Sequence, residues 1–105
     1  MITEKEIFLD VTVENKAELF EFLATKIVAE KKATDVQAII AALWKREEEF
    51  STGMMDGFAI PHAKSEAIVY PTIIVVKLTQ PLVWESLDGG PIKYLCLRVK
   101  KGQLI

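Results

Sequence analysis

The sequence predicts a layered domain of the α/β or α+β class. Three observations support this prediction. The chain has 105 residues, enough for one modest core. Its first half carries two segments in which apolar residues recur at helical spacing, and its second half carries short apolar segments separated by turn residues. Helices followed by strands bury their apolar faces against each other as layers, so we expect a single domain over residues 1–105.

Two helices are predicted from capping residues and apolar stripes. The first runs from about Lys16 to Lys31, because Asn15 begins a capping-box pattern and apolar residues follow every three or four positions. The second runs from about Asp35 to Glu49, with Thr34 and Gln37 as its capping pair. It ends in the charged run of residues 45–49.

Extended segments come after the second helix. Pro61 should end one of them, because proline has no amide hydrogen with which to continue a ladder. An earlier segment is either a first strand or an extended lead-in. The segments are Glu6–Val11, Gly57–Ile60, Thr72–Leu78 and Ile92–Val99.

Composition and charge exclude several classes of protein. Thirteen basic and fifteen acidic residues give a net charge of −2, which offers no general attraction for nucleic acid or an anionic membrane. No apolar run reaches the roughly 20 residues of a membrane helix, and no secretory signal is visible, so we expect a cytoplasmic protein. One histidine, His62, and one cysteine, Cys96, do not make a metal site. We expect no cofactor.

His62 is the candidate for chemistry. It follows Pro61 at the predicted end of an apolar strand, where the sheet can hold a side chain rigidly yet leave it in reach of solvent. A neutral imidazole is a nucleophile near neutral pH, because one ring nitrogen keeps a free lone pair. Spacing alone leaves the alternative of a turn or surface histidine open.

The segment around His62 carries a longer pattern. Residues 52–63 read Thr-Gly-Met-Met-Asp-Gly-Phe-Ala-Ile-Pro-His-Ala. This resembles the phosphorylation-site signature of the fructose/mannitol type of enzyme IIA of the phosphoenolpyruvate-dependent sugar phosphotransferase system. The resemblance extends outward over about residues 1–93. It implies an α/β fold with a mixed sheet flanked by helices.

The resemblance also implies a function and partners. His62 would accept a phosphoryl group on Nε2 from the histidine-phosphorylated carrier protein HPr and pass it to a cysteine of enzyme IIB. Association with a membrane transporter would occur only through these partners. The signature segment leans towards fructose rather than mannitol as the sugar.

Two further residues match positions of the family pattern. Arg46 matches an arginine near the active site, and its guanidinium could hold phosphate oxygens through parallel donors. The alternative is that Arg46 belongs to a solvated helix end, where the helix dipole favours a cation. Asp56 matches the acidic position of the signature and could orient a basic group or the imidazole. It could equally be a turn residue paired with Gly57.

The chain departs from the family pattern in two places. The family carries a second histidine close to the phosphorylated one, and this chain has only His62. After Tyr94 the sequence turns basic, and the family's closing strand and helices are missing. We interpret the chain as a truncated or frame-shifted product, with a naturally shortened member of the family as the alternative. Lost cover would expose an apolar face of the sheet, so we expect a homodimer.

These departures leave alternatives to a transport role. One is a regulatory domain of the same fold, whose phosphorylation state controls a protein partner. Another is a truncated remnant with impaired transfer, which the single histidine makes credible. A neighbouring gene for enzyme IIB or IIC would favour transport.

Overall fold

The computed structural model describes residues 4–102, and residues 1–3 and 103–105 of the expected domain lie outside this range. Within it, neither of the two helices, each of 14 residues, is long and apolar enough to cross a membrane. The predicted α/β class is confirmed. The elements are β1 (Glu4–Val11), α1 (Lys16–Ala29), α2 (Val36–Glu49), β2 (Phe58–Ala59), β3 (His62–Ser65), β4 (Thr72–Leu82) and β5 (Ile92–Lys101).

The strands form one mixed sheet. Its order is β1-β4-β5-β2, and β3 pairs with β5 beyond β2. The pairs β1–β4, β2–β5 and β3–β5 are parallel, whereas β4–β5 is antiparallel. Strands β2 and β3 therefore make one edge strand that is interrupted at Ile60 and Pro61.

Helix α1 begins where the capping pattern predicts. The Asn15 side chain accepts a hydrogen bond from the Glu18 amide at 2.8 Å. The Glu18 carboxylate accepts from the amide of Glu14, one residue before the cap, at 3.4 Å. The helix ends at Ala29 rather than Lys31, because Lys31 adopts a left-handed conformation with φ of 63°.

The predicted cap of α2 is wrong. Asp35, not Thr34, is the N-cap, and its side chain accepts from the Ala38 amide at 3.2 Å. Thr34 instead bonds Ala67 across the fold, through its amide at 2.8 Å and its hydroxyl at 3.4 Å. Both residue types cap helices well, and this tertiary contact decides between them.

Both helices contribute to one hydrophobic core on one face of the sheet. Most of its large, fully buried members come from α1, α2, β4 and β5, among them Leu19, Phe20, Leu23, Ile27, Ile39, Leu43, Ile74, Val76, Leu95 and Leu97. Alternate residues of the strands point to the other face, which is open: Ile7 is 69% exposed, Leu9 66% and Val75 42%. The predicted exposed apolar face is therefore present.

Candidate active site

His62 follows the end of the predicted strand, as expected, but it is also the first residue of a further strand, β3, which the sequence did not predict. Pro61 interrupts the ladder, as expected, but its carbonyl accepts from the Arg98 amide at 3.0 Å. The chain thereby stays beside β5 and resumes pairing at His62, whose register partner is Arg98. The amide of Ile60 donates to the Thr52 carbonyl at 2.9 Å. Backbone bonds therefore fix the chain immediately before His62.

The environment of His62 favours the neutral imidazole. Burial lowers the pKa of His62 below its ordinary value of 6.5, and the positive charge of Arg46 lowers it further. Arg98 and Lys100 act in the same direction, whereas the main chain of Ile60 raises the pKa. Because the net shift is downward, most of the imidazole is uncharged at pH 7 and keeps a lone pair.

The two nitrogens of His62 are not equivalent. Nδ1 is buried and has no partner at hydrogen-bond geometry among residues 4–102, although the main chain of Ile60 lies close enough to raise the pKa. The side chain as a whole is only partly buried. Burial therefore closes Nδ1 to a reacting group, and the role expected for Nε2 stays a prediction.

The structure brings Arg46 to His62. Both residues line a cavity of about 240 Å³ between α2 and β3, together with Ala42, Lys45, Glu49 and Lys64. One guanidinium nitrogen of Arg46 donates to the Phe50 carbonyl at 2.8 Å at the end of the helix. Its role at the helix end and its place beside His62 are thus compatible, since the guanidinium retains further donors.

Asp56 does not approach His62. It is exposed, lies in the turn before β2, and lines neither of the two cavities that His62 borders. Its φ of 57° and that of Gly57, 79°, are left-handed, and its amide donates to the Asp88 carboxylate at 3.0 Å. The turn interpretation of Asp56 fits this geometry, and no contact supports an orienting role.

A buried carboxylate that sequence reasoning missed lies directly after Arg46. The Glu47 side chain is only 5% exposed. It accepts from the amide and hydroxyl of Thr52 at 3.0 and 2.7 Å, from Trp84 Nε1 at 2.8 Å, from Lys16 at 3.1 Å and from Ser51 at 3.2 Å. The charged run at the end of α2 is therefore not solvated throughout, because Glu47 points into the protein.

Glu47 ties the helix to the segment that carries His62. Burial alone would raise the pKa of Glu47, but the hydrogen bonds from Thr52, Lys16 and Trp84 outweigh it and lower the pKa below 4.5. Thr52 in turn accepts from Ile60, two residues before His62. A sequence signal existed, because Glu47 continues the inward stripe of Ile39 and Leu43 at intervals of four.

Close packing also fixes the loop after α2. A Cβ at Gly53 would collide with the Glu85 carbonyl oxygen, so only glycine fits there. The Ser51 hydroxyl bonds the same Glu85 carbonyl. Glycine at this signature position thus lets the loop approach the segment after β4 and keeps Thr52 beside Glu47.

Comparison with protein families gives one match over nearly the whole chain. Residues 1–102 match the family described as phosphoenolpyruvate-dependent sugar phosphotransferase system, EIIA 2. A curated relative, the fructose-specific EIIABC component of the phosphotransferase system of Bacillus subtilis, is 33% identical over 91 residues. The match covers 87% of this chain and 14% of that relative, so the chain spans about a seventh of its length.

Solved structures share the fold. The nitrogen regulatory protein IIA-Ntr of Neisseria meningitidis superposes with a TM-score of 0.83 at 25% identity, covering 92% of this chain and 66% of that one. In the complex of enzyme IIA mannitol and phosphorylated enzyme IIB mannitol from Escherichia coli, the matched chain gives a TM-score of 0.74 at 15% identity. That match covers 92% of this chain and 68% of the other and supports the fold alone.

Proposed function

The chain belongs to the EIIA 2 family of the phosphoenolpyruvate-dependent sugar phosphotransferase system, and from that membership we propose that it carries a phosphoryl group on His62. Residues 1–105 act in this proposal as one EIIA domain. The observation that carries the proposal is the state of His62. Its imidazole has a lowered pKa, a buried Nδ1 and an adjacent Arg46. These are requirements of a nitrogen nucleophile that receives an anionic group.

The transfer requires no net proton movement at His62. The Nε2 lone pair forms a bond to phosphorus, while the phosphorus–nitrogen bond of the donor's phosphohistidine breaks and its electron pair returns to the donor ring. In the onward step a cysteine thiolate forms the sulfur–phosphorus bond, and the electron pair of the breaking bond returns to Nε2. The proton on Nδ1 stays in place throughout. Arg46 would stabilise the negative charge of the phosphoryl oxygens through charge-assisted hydrogen bonds.

We propose HPr as the donor and enzyme IIB as the acceptor. The acceptor is proposed by analogy with the complex of enzyme IIA mannitol and phosphorylated enzyme IIB mannitol from Escherichia coli, with which this chain shares the fold. The name of the Bacillus subtilis relative supports fructose as the sugar, within the fructose/mannitol class. Such a domain would work in the cytoplasm and meet a membrane transporter only through its partners.

A regulatory role is the second candidate. It is favoured by the superposition with the nitrogen regulatory protein IIA-Ntr of Neisseria meningitidis, with its TM-score of 0.83. A regulatory domain would accept the phosphoryl group in the same way but would not pass it on to a sugar transporter. Transfer to an enzyme IIB of the fructose class therefore separates the two candidates.

One assay tests the phosphocarrier proposal. The protein is incubated with enzyme I, HPr and labelled phosphoenolpyruvate, beside His62→Ala, and enzyme IIB is then added. We expect acid-labile label on the wild-type protein, none on His62→Ala, and loss of the label to enzyme IIB. An unlabelled wild-type protein contradicts the carrier function, and equal labelling of His62→Ala contradicts the site. Label that enzyme IIB never removes favours the regulatory role.

We also propose a homodimer, in which a second copy covers the open face of the sheet. The exposed side chains of Ile7, Leu9 and Val75 make that face apolar. Light scattering at high protein concentration should give twice the chain mass of 11.8 kDa. Val75→Lys should restore the monomer, since it places a charge in the contact. A wild-type protein that stays monomeric contradicts this arrangement.

A further inference from the structure

His62 faces β5 as well as α2, and the residue opposite it there is a cation. In the parallel pairing of β3 with β5, His62 is the register partner of Arg98 and Lys64 that of Lys100. Register partners in adjacent strands point to the same face of a sheet. The intervening pair, Ala63 and Val99, is buried in the core. The four flanking side chains therefore share the opposite face.

These side chains border a second cavity. It has a volume of about 390 Å³, and its walls are formed by His62, Lys64, Arg98, Lys100 and the start of β4 at Thr72 and Ile73. Among the described residues, no carboxylate lines it. The cavity on the α2 side differs in this respect, because it contains Glu49 as well as Arg46.

Among residues 4–102, no carboxylate forms a salt bridge with the cations of the second cavity. Within the described part of the chain, the salt bridges join Lys16 to Glu47 and Lys32 to Glu6, and none involves Lys64, Arg98 or Lys100. Like charges directly opposite each other on adjacent strands, as Lys64 and Lys100 are, repel and destabilise a sheet. A cavity that concentrates such charges is matched to an anionic ligand.

We propose that this cavity is an oxyanion site in which Arg98, with Lys64 and Lys100, binds the oxygens of the phosphoryl group on His62 Nε2. The proposal rests on the phosphocarrier function proposed above. Arg98 approaches from β5 and Arg46 from α2, so the phosphoryl group would be held between two guanidinium groups. The positive charges of both lower the pKa of His62, that of Arg46 more than that of Arg98. Arginine suits this task because its planar donors match phosphoryl oxygens.

The equilibrium of phosphoryl exchange with HPr tests the proposal. This equilibrium constant depends only on the relative stability of the free phosphorylated and unphosphorylated proteins, and so it is independent of how well a variant docks with HPr. We expect Arg98→Gln to lower it about tenfold, because hydrogen bonds to charged groups are among the stronger ones in proteins. Lys77→Gln is the matched control, since Lys77 is an exposed cation of β4 that lines neither cavity.

Equal equilibrium constants for the wild type, Arg98→Gln and Lys77→Gln would overturn the proposal, provided the wild type is labelled. An unlabelled wild type would instead overturn the phosphocarrier function and this proposal with it. Arg98→Lys retains the charge and should recover part of the loss. Thermal unfolding of each variant shows whether it is folded. Titration of the imidazole by NMR gives a second measurement, in which Arg98→Gln should raise the pKa of His62 more than Lys77→Gln does.

A free phosphate ion offers the same chemistry as the bound phosphoryl group, so a further arm separates the two sources. Inorganic phosphate is titrated into unphosphorylated wild-type protein and Arg98→Gln while the His62 ring signals are followed. We expect no saturation below about 10 mM, because only the covalent attachment supplies a high local concentration. Saturable phosphate binding that Arg98→Gln removes, with an unchanged exchange equilibrium, would assign the cavity to a free anion and overturn the proposal.

Discussion

Arg46 and Glu47 are neighbours in the last turn of α2, yet they lie in regions of opposite character. Glu47 is buried, and five hydrogen bonds from Lys16, Ser51, Thr52 and Trp84 satisfy its carboxylate. Arg46 borders the cavity between α2 and β3 that His62 also lines, and Arg98 and Lys100 of β5 line the second cavity. The hydrogen bonds of the first, supporting region are satisfied within the protein. In the second, cationic region, no salt bridge among residues 4–102 involves Arg46, Arg98 or Lys100. The last turn of α2 thus supplies Glu47 to the supporting region and Arg46 to the candidate site.

We expect the largest effect from removing the Glu47 carboxylate, which accepts the hydrogen bonds of the supporting region. We expect Glu47→Ala to reduce the free energy of unfolding by about 3 kcal/mol, because it leaves the buried donors of Thr52 and Trp84 and the charge of Lys16 without their acceptor. Urea denaturation measures this loss. Glu48→Ala is the control, since Glu48 is its exposed neighbour and should change stability by less than about 0.5 kcal/mol. Similar losses for both variants would contradict the distinction between the two regions.

A substitution in the cationic region around His62 should slow phosphoryl transfer and leave the stability of the fold nearly unchanged. We expect Arg46→Gln to slow labelling by phosphorylated HPr about a hundredfold, as the loss of one preorganised donor to a developing charge does in other enzymes. Its urea midpoint should stay close to that of the wild type. Lys77→Gln again controls for the loss of one positive charge. A large loss of stability with an unchanged labelling rate would assign Arg46 to the supporting region.

The pH dependence of labelling should sharpen the same contrast. The pKa of His62 is lowered below 6.5 by burial and by Arg46, so the ring stays largely neutral as pH falls from 8 to 6.5 and loses its lone pair only below that. Arg46→Gln removes one cause of the shift, and its labelling rate should decline at a higher pH. The titration of HPr affects both rates equally and cancels in the ratio of the Arg46→Gln rate to the wild-type rate. A ratio that stays constant from pH 8 to 5.5 would contradict a contribution of Arg46 to the pKa of His62.

The smallest effect is expected at Asp56, which belongs to neither region. Asp56→Asn keeps a residue type that tolerates the left-handed conformation seen there, with φ of 57°. Labelling should change by less than about twofold, since the side chain borders neither cavity. A tenfold slower rate would restore the orienting role that the sequence pattern suggested.

The sequence predicted the elements better than it predicted their contacts. The start of α1 at Lys16 could be read from Asn15, because capping is a local interaction. The cap of α2 could not, since Thr34 is held by Ala67, 33 residues further along the chain. Strand β3 was missed because the pairing that restores it, from Pro61 to Arg98, is also long-range.

The candidate site shows the same division. His62 and Arg46 were found from the signature around them, and the structure places them together. Glu47 was visible only as the fourth position after Leu43 on an inward stripe, and its partners Trp84 and Lys16 come from distant segments. Arg98 was noted as a basic departure, but its position opposite His62 depends on strand register, which no local pattern specifies.

The edge strand that carries His62 also limits how another protein can approach. An unpaired edge can accept a strand from a partner through backbone hydrogen bonds. Here the β2 part of the edge is already paired, because the amide of Ile60 donates to the Thr52 carbonyl and Gly53 bridges Ala59. In β3, the exposed ammonium group of Lys64 lies two residues after His62. Both features discourage strand addition. A partner that reaches His62 must therefore recognise this side of the molecule through side chains, so its selectivity can change by surface substitutions without any change in the sheet.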